Sequence, residues 1–198
     1  MGVSVEDIKK LKELTGVGLT DAKKALVEAE GDFDKALEAM RKKGLTKAEK
    51  KGDRETREGL IESYVHSDRI GVIVEVNCET DFVARLPEFK EFAHQIAMQI
   101  AAMAPKYSTV EDIPAEEYEA KKAELLGSEA LAGKPAEMAE KIVEGQLKKH
   151  FAEQVLAEQT FVLDDSMTVA ERIKEQIAKS GENIRISQFK RIELGVSE

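Results

Sequence analysis

One cysteine, Cys78, stands in the 198 residues, which excludes an intramolecular disulfide framework and fits a reducing compartment. No apolar run approaches the roughly 20 residues a membrane helix needs. The opening MGVSVEDIKK has neither an apolar h-region nor a cleavage-site pattern, so no secretion signal is expected and a cytoplasmic protein is predicted. A phosphate-cradling glycine loop is also missing, which leaves the chain without a recognised nucleotide site of its own. His66, His94 and His150 fall on different predicted elements with no Cys or His at ligand spacing; no metal site and no cofactor are expected, and each histidine reads as a surface or boundary residue. There is no tandem repeat and no low-complexity segment.

Charge is present and uneven. From Arg41 to Arg57 there are eight Lys or Arg and three Asp or Glu, a local balance of +5 in a chain of net charge −9. Such a stretch is either a solvated helix between domains or a surface for RNA or an acidic protein face. It lacks interleaved aromatics for base stacking, so direct nucleic-acid binding is not expected.

Residues 4 to 44 read as three short helices, within an N-terminal unit spanning 1–45. Ser4 is placed to cap the first, whose apolar positions are Ile8, Leu11 and Leu14. Thr15-Gly16-Val17-Gly18 breaks it. Thr20 is expected to cap a second helix bearing Ala22, Ala25, Leu26 and Ala29, and Gly31 to end it with positive φ. Asp32 caps a third, with Phe33, Ala36, Leu37 and Met40 facing in and Gly44 closing it. None of these helices hides its stripe alone, so they must pack as a small bundle. Thr46 and Glu49 then form a capping-box pattern, opening an exposed basic linker helix over 46–58.

The remainder, 59–198, reads as an α+β core with a three-stranded, mainly antiparallel sheet. Leu60–His66 and Ile70–Glu79 form strands joined by a turn at Ser67-Asp68-Arg69. In the second, Val72, Val74, Val76 and Cys78 share one face while Ile73, Glu75, Asn77 and Glu79 share the other. Pro87 opens a helix lined by Phe89, Phe92, Ile96, Ile100 and Met103. Further helices are expected over Pro114–Leu126, ended by Gly127, and from Pro135 with the stripe Met138, Ile142, Phe151 and Val155. Thr168 and Glu171 cap another that Gly181 stops. The last strand, Ile184–Ile192, slips in its alternation between Ile186 and Phe189, the mark of a bulge or of two-sided burial.

Catalytic machinery is hard to find. Cys78 lies in the apolar face of a strand, where it behaves as a small hydrophobe. Glu75 and Glu79 share the other face but have no third ligand. No catalytic residue is assigned. The segment Thr80-Asp81-Phe82-Val83, at the strand-to-helix corner, admits two readings. Thr80 caps a helical turn, Asp81 complements its positive end and Phe82 fills the core; or Phe82, which belongs to neither flanking stripe, is an interaction anchor on a rigid mount.

Across essentially its whole length the sequence resembles bacterial elongation factor Ts. The resemblance rests on Ile8-Lys9-Lys10-Leu11, Thr15-Gly16-Val17-Gly18-Leu19 and Asp21-Ala22-Lys23-Lys24-Ala25-Leu26. In the core it rests on the run from Val74 through Glu79-Thr80-Asp81-Phe82-Val83 to Arg85, on Glu158-Gln159-Thr160-Phe161-Val162 and on Gly181-Glu182-Asn183-Ile184. The family usually has proline where Thr160 stands, a departure confined to one turn. The resemblance implies a ubiquitin-associated-like N-terminal domain, a linker and an α+β core. It also implies a guanine-nucleotide exchange factor, not an enzyme, that binds elongation factor Tu carrying GDP. In the family the segment matching Thr80–Val83 intrudes on the G domain of elongation factor Tu; the aromatic, here Phe82, wedges between its helices and the acid, here Asp81, helps disturb its Mg²⁺. Val17, Gly18, Leu19 and Lys23 of the small domain are implied to grip the same G domain. Longer members carry two related core subdomains, whereas one strand set is counted here. A homodimer is therefore expected, the second copy standing in for the missing subdomain. The alternative is a binding module that uses its helical domain and basic linker for RNA or another protein, with Phe82 in the core.

Overall fold

The three N-terminal stripes close on one another. The computed structural model describes residues 3–15, 17–128 and 135–196, and in it α1 (Val5–Thr15), α2 (Leu19–Glu28) and α3 (Phe33–Glu49) bury Leu11, Ala22, Ala25, Leu26, Ala36 and Met40 as one cluster. Leu14 of the predicted stripe is exposed, and Gly16 of the predicted break lies outside the described residues. The Ser4 hydroxyl accepts from the Asp7 N–H at 2.9 Å and Asp32 from the Lys35 N–H at 3.1 Å, so both caps are as predicted. Gly31 takes a φ of 86° beyond the end of α2. Thr20 is not the cap of α2. The Ala22 N–H already bonds to the Gly18 carbonyl at 2.9 Å, so the helix starts at Leu19 with no side-chain cap.

The predicted stop at Gly44 and restart at Thr46 are not found: α3 runs through both to Glu49. Glycine inside a helix costs about 1 kcal/mol relative to alanine, and tertiary packing outweighs it. The end of α3 lies against α8 (Val169–Ser180), and Ala48, 2% exposed, joins the main core cluster. The basic stretch is therefore no free-standing exposed helix. Beyond Glu49 it leaves the helix and is pinned to the core.

Strands β1 (Glu58–His66), β2 (Ile70–Cys78) and β5 (Ile184–Glu193) form a sheet in the order β1-β2-β5, antiparallel at both junctions. Ser67 and Asp68 take positive φ (50° and 57°), which suits the twist of a tight hairpin. The register shifts where Glu75 faces Gln188 and Val76 faces Ile186. Ser187 is thus the extra residue of a bulge, where the alternation of β5 slips.

Helix α5 (Pro87–Met103) covers the inner face of the sheet. Val72, Val74, Val76 and Cys78 bury against Phe89, Phe92, Ile96 and Ile100; Met103, expected in that stripe, is exposed at the helix end. The capping box of α8 forms in both directions. Helices α6 (Ala115–Leu126) and α7 (Ala136–Ala152) pack into a third cluster. Its α7 members are Val143, Leu147 and Phe151, with Ile142 at the margin, and Met138 is exposed. Phe151 and Val155 of the predicted stripe are buried in this cluster, where Tyr118 stacks on Phe151 at 5.6 Å. A short hairpin, β3 (Thr160–Phe161) with β4 (Asp164–Thr168), has no periodic signal in the sequence. It is fixed by fully buried Gln99, which donates to Gln159 and to the Thr160 carbonyl and accepts from the Val162 N–H. Among the described residues no helix is long and apolar enough to cross a membrane.

Candidate partner-binding site

Where β2 ends, the chain turns a corner into a single helical turn, α4 (Asp81–Ala84). Thr80 is extended (φ −131°, ψ 154°) and stands at the N-cap position, yet its side chain does not cap α4. Its hydroxyl donates instead to Glu182 Oε1 at 2.6 Å. The backbone N–H groups of Glu79 and Thr80 both donate to Glu182 Oε2, at 3.0 and 2.9 Å. From below, the Cys78 thiol donates to the Thr80 carbonyl at 3.1 Å.

Val83 and Ala84 turn inward and are buried, whereas Phe82 is 78% exposed. The core-filling role is taken by its two successors. In a single helical turn that buries positions 83 and 84, position 82 faces outward, so Phe82 projects from a backbone fixed on both sides. Asp81 pairs with Arg85 one turn on, at 2.8 Å. Beside this corner a cleft of about 730 Å³ runs between Glu13 of α1, Val83, Leu86 and Pro87, and Arg172 and Lys179 of α8.

The N-terminal candidates lie on separate elements from this corner. Val17 is half-buried against the helical cluster and Gly18 is exposed ahead of α2. Leu19, 53% exposed, and Lys23 are one helical turn apart on the outside of α2. Val27, another turn along, is also exposed. Val27 is not singled out by the sequence pattern, and Leu19 and Lys23 are singled out only through the family resemblance.

What the arrangement does chemically is limited. Burial, and then the charge of Glu182, pushes the Cys78 thiol up to about 11, so it is protonated at neutral pH and no nucleophile. Glu75 accepts from Asn77 and Gln188, and Glu79 from Asn183 and Arg54, so both carboxylates have protein donors. His94 meets Glu62 at 2.9 Å, His66 meets Tyr64 at 2.9 Å and His150 meets Gln154 at 3.1 Å. Among the described residues no group of three or more His, Cys, Asp or Glu is placed to hold a metal.

Sequence reasoning missed Glu182. It lies 102 residues from Thr80 in a turn that reads as a helix stop, and pairing across that separation leaves no local pattern.

Residues 5–196 match the family model described as Elongation factor TS. The chain is 54% identical over 196 residues to elongation factor Ts of Thermotoga maritima, covering 98% of each protein. Elongation factor Ts of Fervidobacterium nodosum is 50% identical over 196 residues, covering 98% of this chain and 100% of the relative. The counterpart from Caldanaerobacter subterraneus subsp. tengcongensis is 50% identical over 195 residues, with 98% and 97% covered.

Proposed function

Because the chain belongs to the elongation factor Ts family of translation elongation factors, we propose that it is the guanine-nucleotide exchange factor of elongation factor Tu. It binds the GDP-loaded partner in the cytoplasm, and Thr80–Val83 enter beside the partner's Mg²⁺ and phosphate site. Displacing Mg²⁺ removes the charge that holds the diphosphate, so GDP leaves and GTP enters. The observation that carries this role is the exposure of Phe82 between a pinned Thr80 and buried Val83 and Ala84. The role changes rates through differential binding and makes or breaks no covalent bond; it asks for no cofactor and no contact with nucleic acid.

The N-terminal unit, 1–45, serves as a ubiquitin-associated-like grip on the same G domain through Val17, Gly18, Leu19 and Lys23. The segment 46–58 is its link to the core, 59–198. Lys51 and Arg54 of that segment bond to Gly181 and Glu79, which favours a structural use of its charge over RNA binding. A homodimer completes the core. It is supported by the outer face of the sheet, where Ile61, Val65, Ile73 and Ile192 are all more than half exposed and the register sets Val65 and Ile192 on either side of Gly71. An apolar face of this kind on a sheet edge region needs a cover.

The test is release of fluorescent GDP from elongation factor Tu on addition of the full chain. Acceleration that saturates with factor is expected; an off-rate unchanged at every concentration overturns the role.

A further inference from the structure

We propose that Glu182 is a positioning residue, whose carboxylate fixes the corner from which Phe82 projects. For its activity readout this rests on the exchange role above.

Glu79 and Thr80 lie beyond the last ladder pair of β2, Cys78 with Ile184, and ahead of the first backbone bond of α4, from the Ala84 N–H to the Thr80 carbonyl. Their N–H groups therefore depend on a partner outside both elements. Glu182 supplies one oxygen to both, and its other oxygen takes the Thr80 hydroxyl. Charge-assisted bonds of this kind are the strong ones.

Glu182 reaches the corner because α8 stops where it does. Gly181 takes a φ of 79° and its N–H bonds back to Ile177, which reverses the chain and turns the next residue toward β2. The contact is reciprocal: the Asn183 N–H donates to Glu79 Oε1 at 2.6 Å. The same turn also receives the segment leaving α3. Lys51 donates to the Gly181 carbonyl, and the Asn183 amide donates to the carbonyls of Gly52 and Arg54 at 3.2 and 2.7 Å. One turn thus ties the wedge-bearing corner to the chain that arrives from the helical unit.

The experiment compares Glu182→Ala and Glu182→Gln in the full chain. Glutamine keeps an oxygen for the two N–H groups and offers its amide N–H to the Thr80 hydroxyl, so it preserves the geometry without the charge. Two quantities are read: hydrogen exchange at the Glu79 and Thr80 amides, and GDP release from elongation factor Tu as a function of factor concentration. Glu182→Ala is expected to lose amide protection. Its maximal release rate falls about tenfold or more, as for misplaced groups generally, while the half-saturating concentration changes less than about threefold, because the other contacts are intact. Glu182→Gln is expected to retain both within about threefold.

Unchanged amide protection in Glu182→Ala overturns the proposal. So does a lowered melting temperature with the maximal rate intact, or a glutamine variant as defective as alanine. If the wild type itself fails to release GDP, the exchange role is what fails, and the amide-exchange arm still decides whether Glu182 holds the corner. Should Glu182→Ala not fold, Thr80→Val removes the hydroxyl bond alone. A partial fall in maximal rate is then expected, and a wild-type rate refutes the assignment.

Discussion

Two phenylalanines close together in sequence offer a separation of stability from function. Phe89 is fully buried in the core and Phe82 is 78% exposed. Replacing a buried phenylalanine by alanine costs about 3–5 kcal/mol, and each kcal/mol moves the melting temperature of a chain this long by about 2–4 °C. Phe89→Ala is therefore expected to melt about 6–20 °C lower. Phe82 hides only about a fifth of its surface. A phenylalanine fully buried removes about 200 Å² from water, so at about 25 cal/mol per Å² its truncation costs about 1 kcal/mol at most, and Phe82→Ala is expected within about 4 °C of wild type. In exchange the ranking reverses. A buried aromatic anchor at an interface contributes about 2 kcal/mol or more, which is about 30-fold in GDP release. The assays are thermal melting followed by circular dichroism, and stopped-flow release of fluorescent GDP from elongation factor Tu. A Phe82→Ala protein that melts 10 °C or more below wild type would show that the side chain is part of the core. One that exchanges at the wild-type rate at all concentrations would show that it is no wedge.

Gln99→Leu removes the partner of the Val162 N–H and of Gln159 in a fully buried setting, and is expected to cost about 2–3 kcal/mol in a denaturant titration; an unchanged midpoint would show that the hairpin does not depend on this side chain. Burial holds the Cys78 thiol near 11 in the fold, above its unfolded value of about 8.5. The stability this contributes is complete below about pH 8.5 and declines as pH rises through 11, so wild type should lose more stability than Cys78→Ala between pH 8 and pH 11, and parallel losses refute the assignment. Ile73→Glu, on the outer face of the sheet, is expected to convert a dimer to a folded monomer in sedimentation experiments at micromolar concentration; a wild type already monomeric there removes the dimer.

Legibility followed the range of the interactions. The alternation of β2, the Phe89-Phe92-Ile96-Ile100 stripe and the Thr168–Glu171 capping box are written in neighbours a few positions apart, and the sequence carries them. The bulge at Ser187 left a trace because a slipped register must break alternation. Failures came where distant packing overrode local chemistry. Gly44 reads as a stop, but Ala48 buried against the core carries α3 past it. Met138 reads as part of the α7 stripe but is exposed, and Val143 and Leu147, which that stripe left out, are buried. At the candidate site the segment Thr80–Val83 was legible, and the direction in which Phe82 points was not. That direction depends on Glu182, whose contact with Thr80 spans 102 residues.

The corner combines groups held with very different firmness, and an exchange factor needs that contrast. A ligand that binds two states of its partner equally shifts nothing, however tightly it binds. A Phe82 on a flexible loop would swing aside when GDP and Mg²⁺ are in place, and the factor would then bind loaded and empty partner alike. With Thr80 fixed to Glu182 and Val83 and Ala84 buried, the ring of the proposed wedge would enter in one direction only, and the conformational cost of ordering it would be met in folding rather than at the encounter. Asp81 is the opposite case. Its carboxylate pairs with Arg85 in an i,i+4 pair at the surface, worth about 0.3–0.5 kcal/mol. Redirecting it toward the surroundings of a partner's cation costs about that much and no more. In the proposed exchange role, a rigid ring that fits the empty partner better than the loaded one, beside an acid that is cheaply redirected toward the metal, would make the empty state of the partner the better fit.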